Sequence, residues 1–198
     1  MKIKICGIRS QEMLDVCEEA GVDFVGINFV RTSKRFCSEM FQKRSETSFG
    51  SARVGVFWRN AEDEIREKIK NYNLDILQIY DADLVGKFDL PTWLALRVGQ
   101  DDLNILQQKK PDLVLLDGSV PGSGQCVDKA LLRESVDFVE DLGFDFGLAG
   151  GICEANVDWF LTHFSQAQFL DTASGVEDGS GAFSQTRLFK LLTLVKSA

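Results

Sequence analysis

Eight short apolar runs alternate with eight segments of helical or near-helical length along the 198 residues. The runs at 1–8, 24–30, 53–58, 76–80, 92–98, 113–117, 146–149 and 169–172 are rich in Ile, Val, Leu and Phe and read as strands. Residues 11–18, 39–44, 61–71, 83–87, 101–109, 128–142, 154–164 and 184–196 read as helices, with Ser10 and Asn60 as N-cap candidates for the first and third. Strands joined through helices run parallel and are covered on both faces. A doubly wound open sheet shows the same alternation. Eight units that begin with a strand favour closure, predicting an α/β fold: one (β/α)8 TIM barrel over residues 1–198, its loops trimmed relative to the ~250 residues usual for the fold. No linker, repeat or low-complexity stretch marks a second domain.

In the first run, side chains alternate faces, so Lys2, Lys4 and Cys6 point one way while Ile3 and Ile5 point toward the covering helices. That places a thiol at the carboxyl end of a parallel strand, beside Gly7. Barrels carry their chemistry at that end.

The formal charge of -8 argues against nucleic acid and anionic membranes as partners, and no apolar run approaches the ~20 residues of a membrane span. Lys4, Cys6 and Arg9 interrupt any apolar leader at the N-terminus. Five cysteines without a C-x-x-C spacing suit a reducing compartment, so the expected location is the cytoplasm. No zinc-ligand pattern is visible, and no cofactor is expected. Nothing specifies a protein partner.

The carboxyl ends of the eight strands supply Cys6, Asn28, Tyr80, Asp117 and Asp171, and the only histidine, His163, is not among them. A general base at this mouth is therefore a thiolate or a carboxylate. Cys6 and Asp117 form a plausible base and acid pair. The base needs a lowered pKa, which Lys4 on the same face could supply, and the acid needs a raised one. Either residue could instead be structural, the cysteine as a small core hydrophobe and the aspartate as a loop cap.

Gly150-Gly151 after the seventh strand and Asp171-Thr172-Ala173-Ser174-Gly175-Val176 at the eighth are small enough for backbone N–H groups to converge on a phosphate. Gly150, Gly151, Asp171, Ala173 and Ser174 are accordingly the candidate phosphate-binding residues; tight turns alone are the alternative. Arg31-Thr32-Ser33-Lys34-Arg35 gathers three cations in an acidic chain, either a solvated loop or a clamp for a carboxylate. Pro121-Gly122-Ser123-Gly124 is a candidate flap. The expected ligand is a small phosphorylated molecule.

These segments together resemble the phosphoribosylanthranilate isomerase family of tryptophan biosynthesis over nearly the whole chain. Lys4-Ile5-Cys6-Gly7-Ile8 is similar to that family's first strand, Gly21-Val22-Asp23-Phe24-Val25-Gly26 and Ser33-Lys34-Arg35-Phe36 to its second unit, and Val54-Gly55-Val56-Phe57 to its third strand. Leu115-Leu116-Asp117, Leu148-Ala149-Gly150-Gly151 with Asn156-Val157, and Asp171 with Ser174-Gly175-Val176-Glu177 resemble its sixth, seventh and eighth units. The resemblance implies an Amadori rearrangement with Cys6 as general base, Asp117 as general acid and Arg35 on the anthranilate carboxylate, without metal or organic cofactor. Departures stand at Tyr80-Asp81, where the family usually has His-Gly, at the reduced flap Gly122-Ser123-Gly124, and after the eighth strand, where its usual Lys-Asp is missing. Two other readings are the related sugar-phosphate isomerase of histidine biosynthesis, which normally has aspartate where Cys6 stands, and a non-catalytic barrel that binds a phosphorylated ligand.

Overall fold

The computed structural model describes residues 1–39, 41, 50–118 and 128–197. Its strands are β1 (Lys2–Cys6), β2 (Phe24–Asn28), β3 (Ala52–Phe57), β4 (Ile76–Ile79), β5 (Thr92–Arg97), β6 (Leu113–Asp117), β7 (Phe146–Leu148) and β8 (Phe169–Thr172). Each pairs in parallel with the next, and β8 returns to β1 with Lys4 opposite Asp171. That last pairing closes the barrel and excludes the open sheet.

Among the described residues the helices are α1 (Gln11–Glu19), α2 (Glu62–Tyr72), α3 (Lys129–Asp141), α4 (Val157–His163) and α5 (Gln185–Ser197). Ser10 caps α1 by accepting from the Met13 N–H at 3.3 Å, as its position predicts. Asn60 does not cap α2. Its carboxamide accepts from the Trp58 N–H and donates to the Phe29 carbonyl, tying the loop after β3 to the end of β2. The helices expected over 83–87 and 101–109 shrink to 3-10 turns, Ala82–Leu84 and Leu103–Gln107. Asp81 and Asp102 cap these turns by accepting from the N–H two residues on, and Gly86, at φ 81°, ends the helical pattern after the first. Met40 and 42–49, within which most of the expected 39–44 helix falls, lie outside the described residues, as do the flap candidate 121–124 and Cys126.

Alternation sorts the side chains into two cores. Outward-facing Ile3, Ile5, Val25, Ile27, Leu94, Leu96, Val114 and Leu116 pack against the helices. Inward-facing Val54, Trp93, Ala95, Leu113, Leu115 and Phe169 fill the barrel from below, with Phe24 against them. Trp93 stacks on Phe169 at 4.6 Å between ring centroids and meets Phe24 edge-on at 5.2 Å, plugging the amino-terminal end. Above this plug the filling turns polar. Lys4, Gln78 and Asp171 are buried where a barrel of this kind ordinarily places branched apolar residues.

Candidate active site

The inward positions at the carboxyl ends of β1, β5 and β6 are Cys6, Arg97 and Asp117, with Tyr80 immediately past β4. Strand alternation alone carries them to one mouth. Directly beneath, Lys4 Nζ lies 2.9 Å from Asp171 Oδ1, and the lysine side chain is fully buried. Gly26 of β2 leaves the space for this arrangement. A Cβ there would come within 2.8 Å of the Cys6 sulfur and 3.1 Å of Lys4 Nζ.

Burial by itself would lower the Lys4 pKa; the Asp171 carboxylate and the Cys6 thiol opposite it outweigh that and hold it above its ordinary value. The buried cation is thus kept charged by its partners. Burial pushes the Cys6 thiol up, and the Lys4 and Arg35 charges recover only part of the rise. The lowered thiol pKa expected from the sequence is therefore not what the ligand-free barrel has: desolvation dominates.

Asp117 matches its expectation. Burial lifts its carboxyl to about 6, against the pull of a hydrogen bond from Tyr80. The Tyr80 hydroxyl donates to Asp117 Oδ2 at 2.7 Å. Burial and the Asp117 charge push the phenol well above its usual value, so it remains a donor. Cys6 and Asp171 also act on Tyr80, which puts thiol, phenol and both carboxylates within one field. Trp58 leans on Tyr80 at 5.8 Å between ring centroids, and Arg97 lies over the Trp58 ring.

Of the three cations in the loop after β2, only Arg35 turns inward; Arg31 is exposed and paired with Glu64, and Lys34 is exposed. Arg35 is buried and gives Nε and Nη2 to the two oxygens of Glu177 at 2.6 and 2.7 Å. Its stem runs under Gly7, where a Cβ would come 2.5 Å from Arg35 Cδ. Among the described residues Nη1 has no acceptor, leaving one edge of the guanidinium for a ligand.

The loops after β7 and β8 meet beside this group. Thr172 Oγ1 donates to the Ile152 carbonyl at 2.6 Å, and Gly175 packs so closely that a Cβ would lie 2.1 Å from the same oxygen. Gly150 and Gly151 take φ of 112° and 71°, conformations that favour glycine. Among the described residues the N–H groups of Gly151, Ser174 and Gly175 donate to no protein acceptor. Free N–H groups of this kind suit an anion. Asp171, grouped with this loop by the sequence, turns its carboxylate onto Lys4 instead. A small crevice lined by Cys6, Gly7, Ala173 and Glu177 joins the thiol to the loop after β8.

Sequence reading missed Glu177 as the partner of Arg35 and Arg97 as a further charge at the mouth. Arg97 was recoverable, since it occupies in β5 the inward place that Asp117 occupies opposite it in β6.

A closed parallel barrel with ionisable groups and free amides gathered at the carboxyl end of its strands belongs to the (β/α)8 enzymes. A family model for N-(5'phosphoribosyl)anthranilate (PRA) isomerase matches residues 3–193. The chain belongs to that family, whose reaction is a step of tryptophan biosynthesis, and it is an enzyme of the isomerase class. It is 31% identical over 180 residues to the N-(5'-phosphoribosyl)anthranilate isomerase of Streptococcus mutans, covering 89% of each chain. Its fold is similar to the crystal structure of phosphoribosyl anthranilate isomerase from Thermus thermophilus, at a TM-score of 0.81 with 26% identity, over 100% of this chain and 99% of the other. Another phosphoribosyl anthranilate isomerase, solved with reduced 1-(o-carboxyphenylamino)-1-deoxyribulose 5-phosphate, has the same fold at a TM-score of 0.74 and 21% identity, each chain covered in full.

Proposed function

We propose that this chain converts N-(5-phosphoribosyl)anthranilate to 1-(2-carboxyphenylamino)-1-deoxyribulose 5-phosphate, with Asp117 as general acid and Cys6 as general base. Asp117, still half protonated near pH 6, gives its proton to the furanose ring oxygen, and the ring opens to an iminium at C1. Cys6 then removes the C2 proton. The resulting enolamine tautomerises to the ketone, and no net proton is taken up or released. The positive charge developing at C1 is what the raised thiol lacks in the empty site, because an adjacent cation favours the thiolate. Lys4 supports that thiolate from below.

Arg35 holds the substrate carboxylate with its remaining edge, while Gly150, Gly151, Ala173 and Ser174 bind the phosphate through backbone N–H groups. Asp171 acts through Lys4 rather than on the phosphate directly. Anchoring both ends fixes the sugar between acid and base, the entropic part of the rate enhancement.

The observation that carries this reading is the shared inward face of Cys6 and Asp117, with Tyr80 bonded to the acid at 2.7 Å. Turnover of freshly made phosphoribosylanthranilate, followed as loss of anthranilate-type fluorescence, tests it. Wild type should turn over, and Cys6→Ala and Asp117→Ala should each lose about 10²–10⁴-fold while still binding the reduced product. Near-normal turnover by either variant would overturn that residue's role, and binding of the reduced product without turnover by wild type would make this a ligand-binding barrel.

We take residues 1–198 as one barrel domain. A cytoplasmic location accords with the free thiols of Cys6, Cys17, Cys37 and Cys153. The charge of -8 argues against nucleic acid, and an anionic ligand is held in spite of it, by local cations and backbone N–H groups.

A further inference from the structure

Tyr80 stands at the mouth immediately past β4, and it touches the proposed acid directly. Its phenol is held on three sides. Gln78 Nε2 approaches its oxygen at 3.5 Å, Trp58 leans on the ring, and Asp117 Oδ2 accepts its hydrogen bond at 2.7 Å. With the amide donor of Gln78 facing one lone pair, the O–H is directed at the carboxyl group.

We infer that Tyr80 is a positioning residue for the acid: its phenol fixes which oxygen of Asp117 carries the proton and stabilises the carboxylate that remains after the proton leaves. This rests on the reading of Asp117 given above. A carboxyl oxygen that accepts a strong hydrogen bond is the carbonyl oxygen of the neutral acid, so the acidic proton resides on Oδ1. Once the proton is donated, the bond becomes charge-assisted and about twice as strong. The gain falls on the ionised side of the transfer. Tyr80 thereby makes a buried carboxyl a stronger acid than burial alone would leave it.

The other groups facing Asp117 are Lys4 from β1, Asp171 from β8, Arg97 from β5 and the Gly118 backbone that follows β6. Lys4 and the Gly118 N–H favour the carboxylate, and Asp171 opposes it. None of these fixes the carboxyl plane from the side of β4.

The test is a titration of Asp117 by carbon-13 NMR of labelled aspartate carboxyls in the wild-type chain, in Tyr80→Phe, and in a chain with 3,5-difluorotyrosine at position 80. Loss of one hydrogen bond to a charged group should raise the Asp117 value in Tyr80→Phe by about one unit. The more acidic difluorophenol, a stronger donor, should lower it. Because Asp117 titrates below the thiol, the lower inflection of kcat/KM against pH belongs to it and should move with the NMR value. An Asp117 titration unchanged in both variants overturns the inference, whatever happens to activity. Should Tyr80→Phe fail to fold, the difluorotyrosine chain decides alone. Absence of turnover by wild type would instead sink the proposed reaction, while the titration would still show whether Tyr80 sets the acidity of Asp117.

Discussion

Lys4 Nζ and Asp171 Oδ1 meet at 2.9 Å inside the barrel, one layer below Cys6, with the lysine side chain wholly excluded from solvent. A buried pair of this kind gains little net stability, but removing one partner strands the other charge in a poor solvent. Its location beneath the thiol gives it a second effect, electrostatic support of the thiolate.

Lys4→Met should therefore lose about 3–5 kcal/mol in urea unfolding, the cost of an orphaned buried charge. Lys4→Met with Asp171→Leu should recover most of that loss. Neither chain should recover turnover, because both lack the cation under Cys6. Iodoacetamide alkylation of Cys6 followed against pH should shift to higher pH in both. If the double variant regains stability and activity together, the pair serves packing alone.

The strands were legible because a parallel strand has one dominant signal, a short β-branched or apolar run, and alternation then assigns its faces. Cys6 and Asp117 followed from that rule, as did the closely set glycines after β7. What the sequence could not show were contacts made across the closure. Lys4 and Asp171 are separated by 167 residues, and Arg35 and Glu177 by 142. Both pairs exist only because β8 returns beside β1. The turns after β4 and β5 read as longer helices because their apolar spacing and their capping Asp residues are those of helix starts; after β4 the left-handed Gly86, at φ 81°, stops the pattern early. The cationic loop shows the limit of composition, since three charges adjacent in sequence point in different directions and one reaches the mouth.

The buried Asp117 carboxyl is a stability cost. Asp117 has a native value of about 6 against 3.8 for a free carboxyl, so between these values the native state binds more protons than the unfolded chain. Stability therefore falls as pH rises through this window, and the full cost, roughly 2–3 kcal/mol, is present above pH 6. Asp117→Asn has no proton to lose. It should be inactive, yet more stable than wild type by up to about that amount at pH 7.5, with the advantage gone near pH 3.5. Urea unfolding at the two pH values checks this. Equal stabilities at pH 7.5 would mean that the carboxyl is not desolvated as the geometry implies.

Gly175 lets the loops after β7 and β8 pack together by lacking a side chain. A methyl group there would sit 2.1 Å from the Ile152 carbonyl and 2.5 Å from Thr172 Oγ1, neither of which can yield without parting the loops. Gly175→Ala should cost about 1–3 kcal/mol of stability as an overpacked site. Its inhibition by inorganic phosphate should weaken as well, while the pH dependence of Cys6 alkylation stays where it was. Retention of wild-type phosphate inhibition would show that the amides of these loops are not the anion site.

Arg35 and Glu177 form a largely buried ion pair beside the mouth. One edge of the guanidinium, Nε with Nη2, is spent on Glu177, which holds the fork rigid and buried and leaves Nη1 without a protein acceptor among the described residues. A rigid fork loses less freedom on binding than a mobile one, so Glu177 contributes to affinity without touching the ligand. Arg35→Ala should weaken binding of reduced 1-(o-carboxyphenylamino)-1-deoxyribulose 5-phosphate by roughly tenfold to hundredfold, the worth of a charge-assisted hydrogen bond to a carboxylate. It should also destabilise the fold, since Glu177 is left with 12% of its side chain exposed and no cation. Arg35→Ala with Glu177→Ala should restore the stability and leave the affinity low. Calorimetric titration of the reduced product beside urea unfolding separates the two effects; unchanged affinity in Arg35→Ala would move the carboxylate anchor elsewhere, with Arg97 the next cation at the mouth.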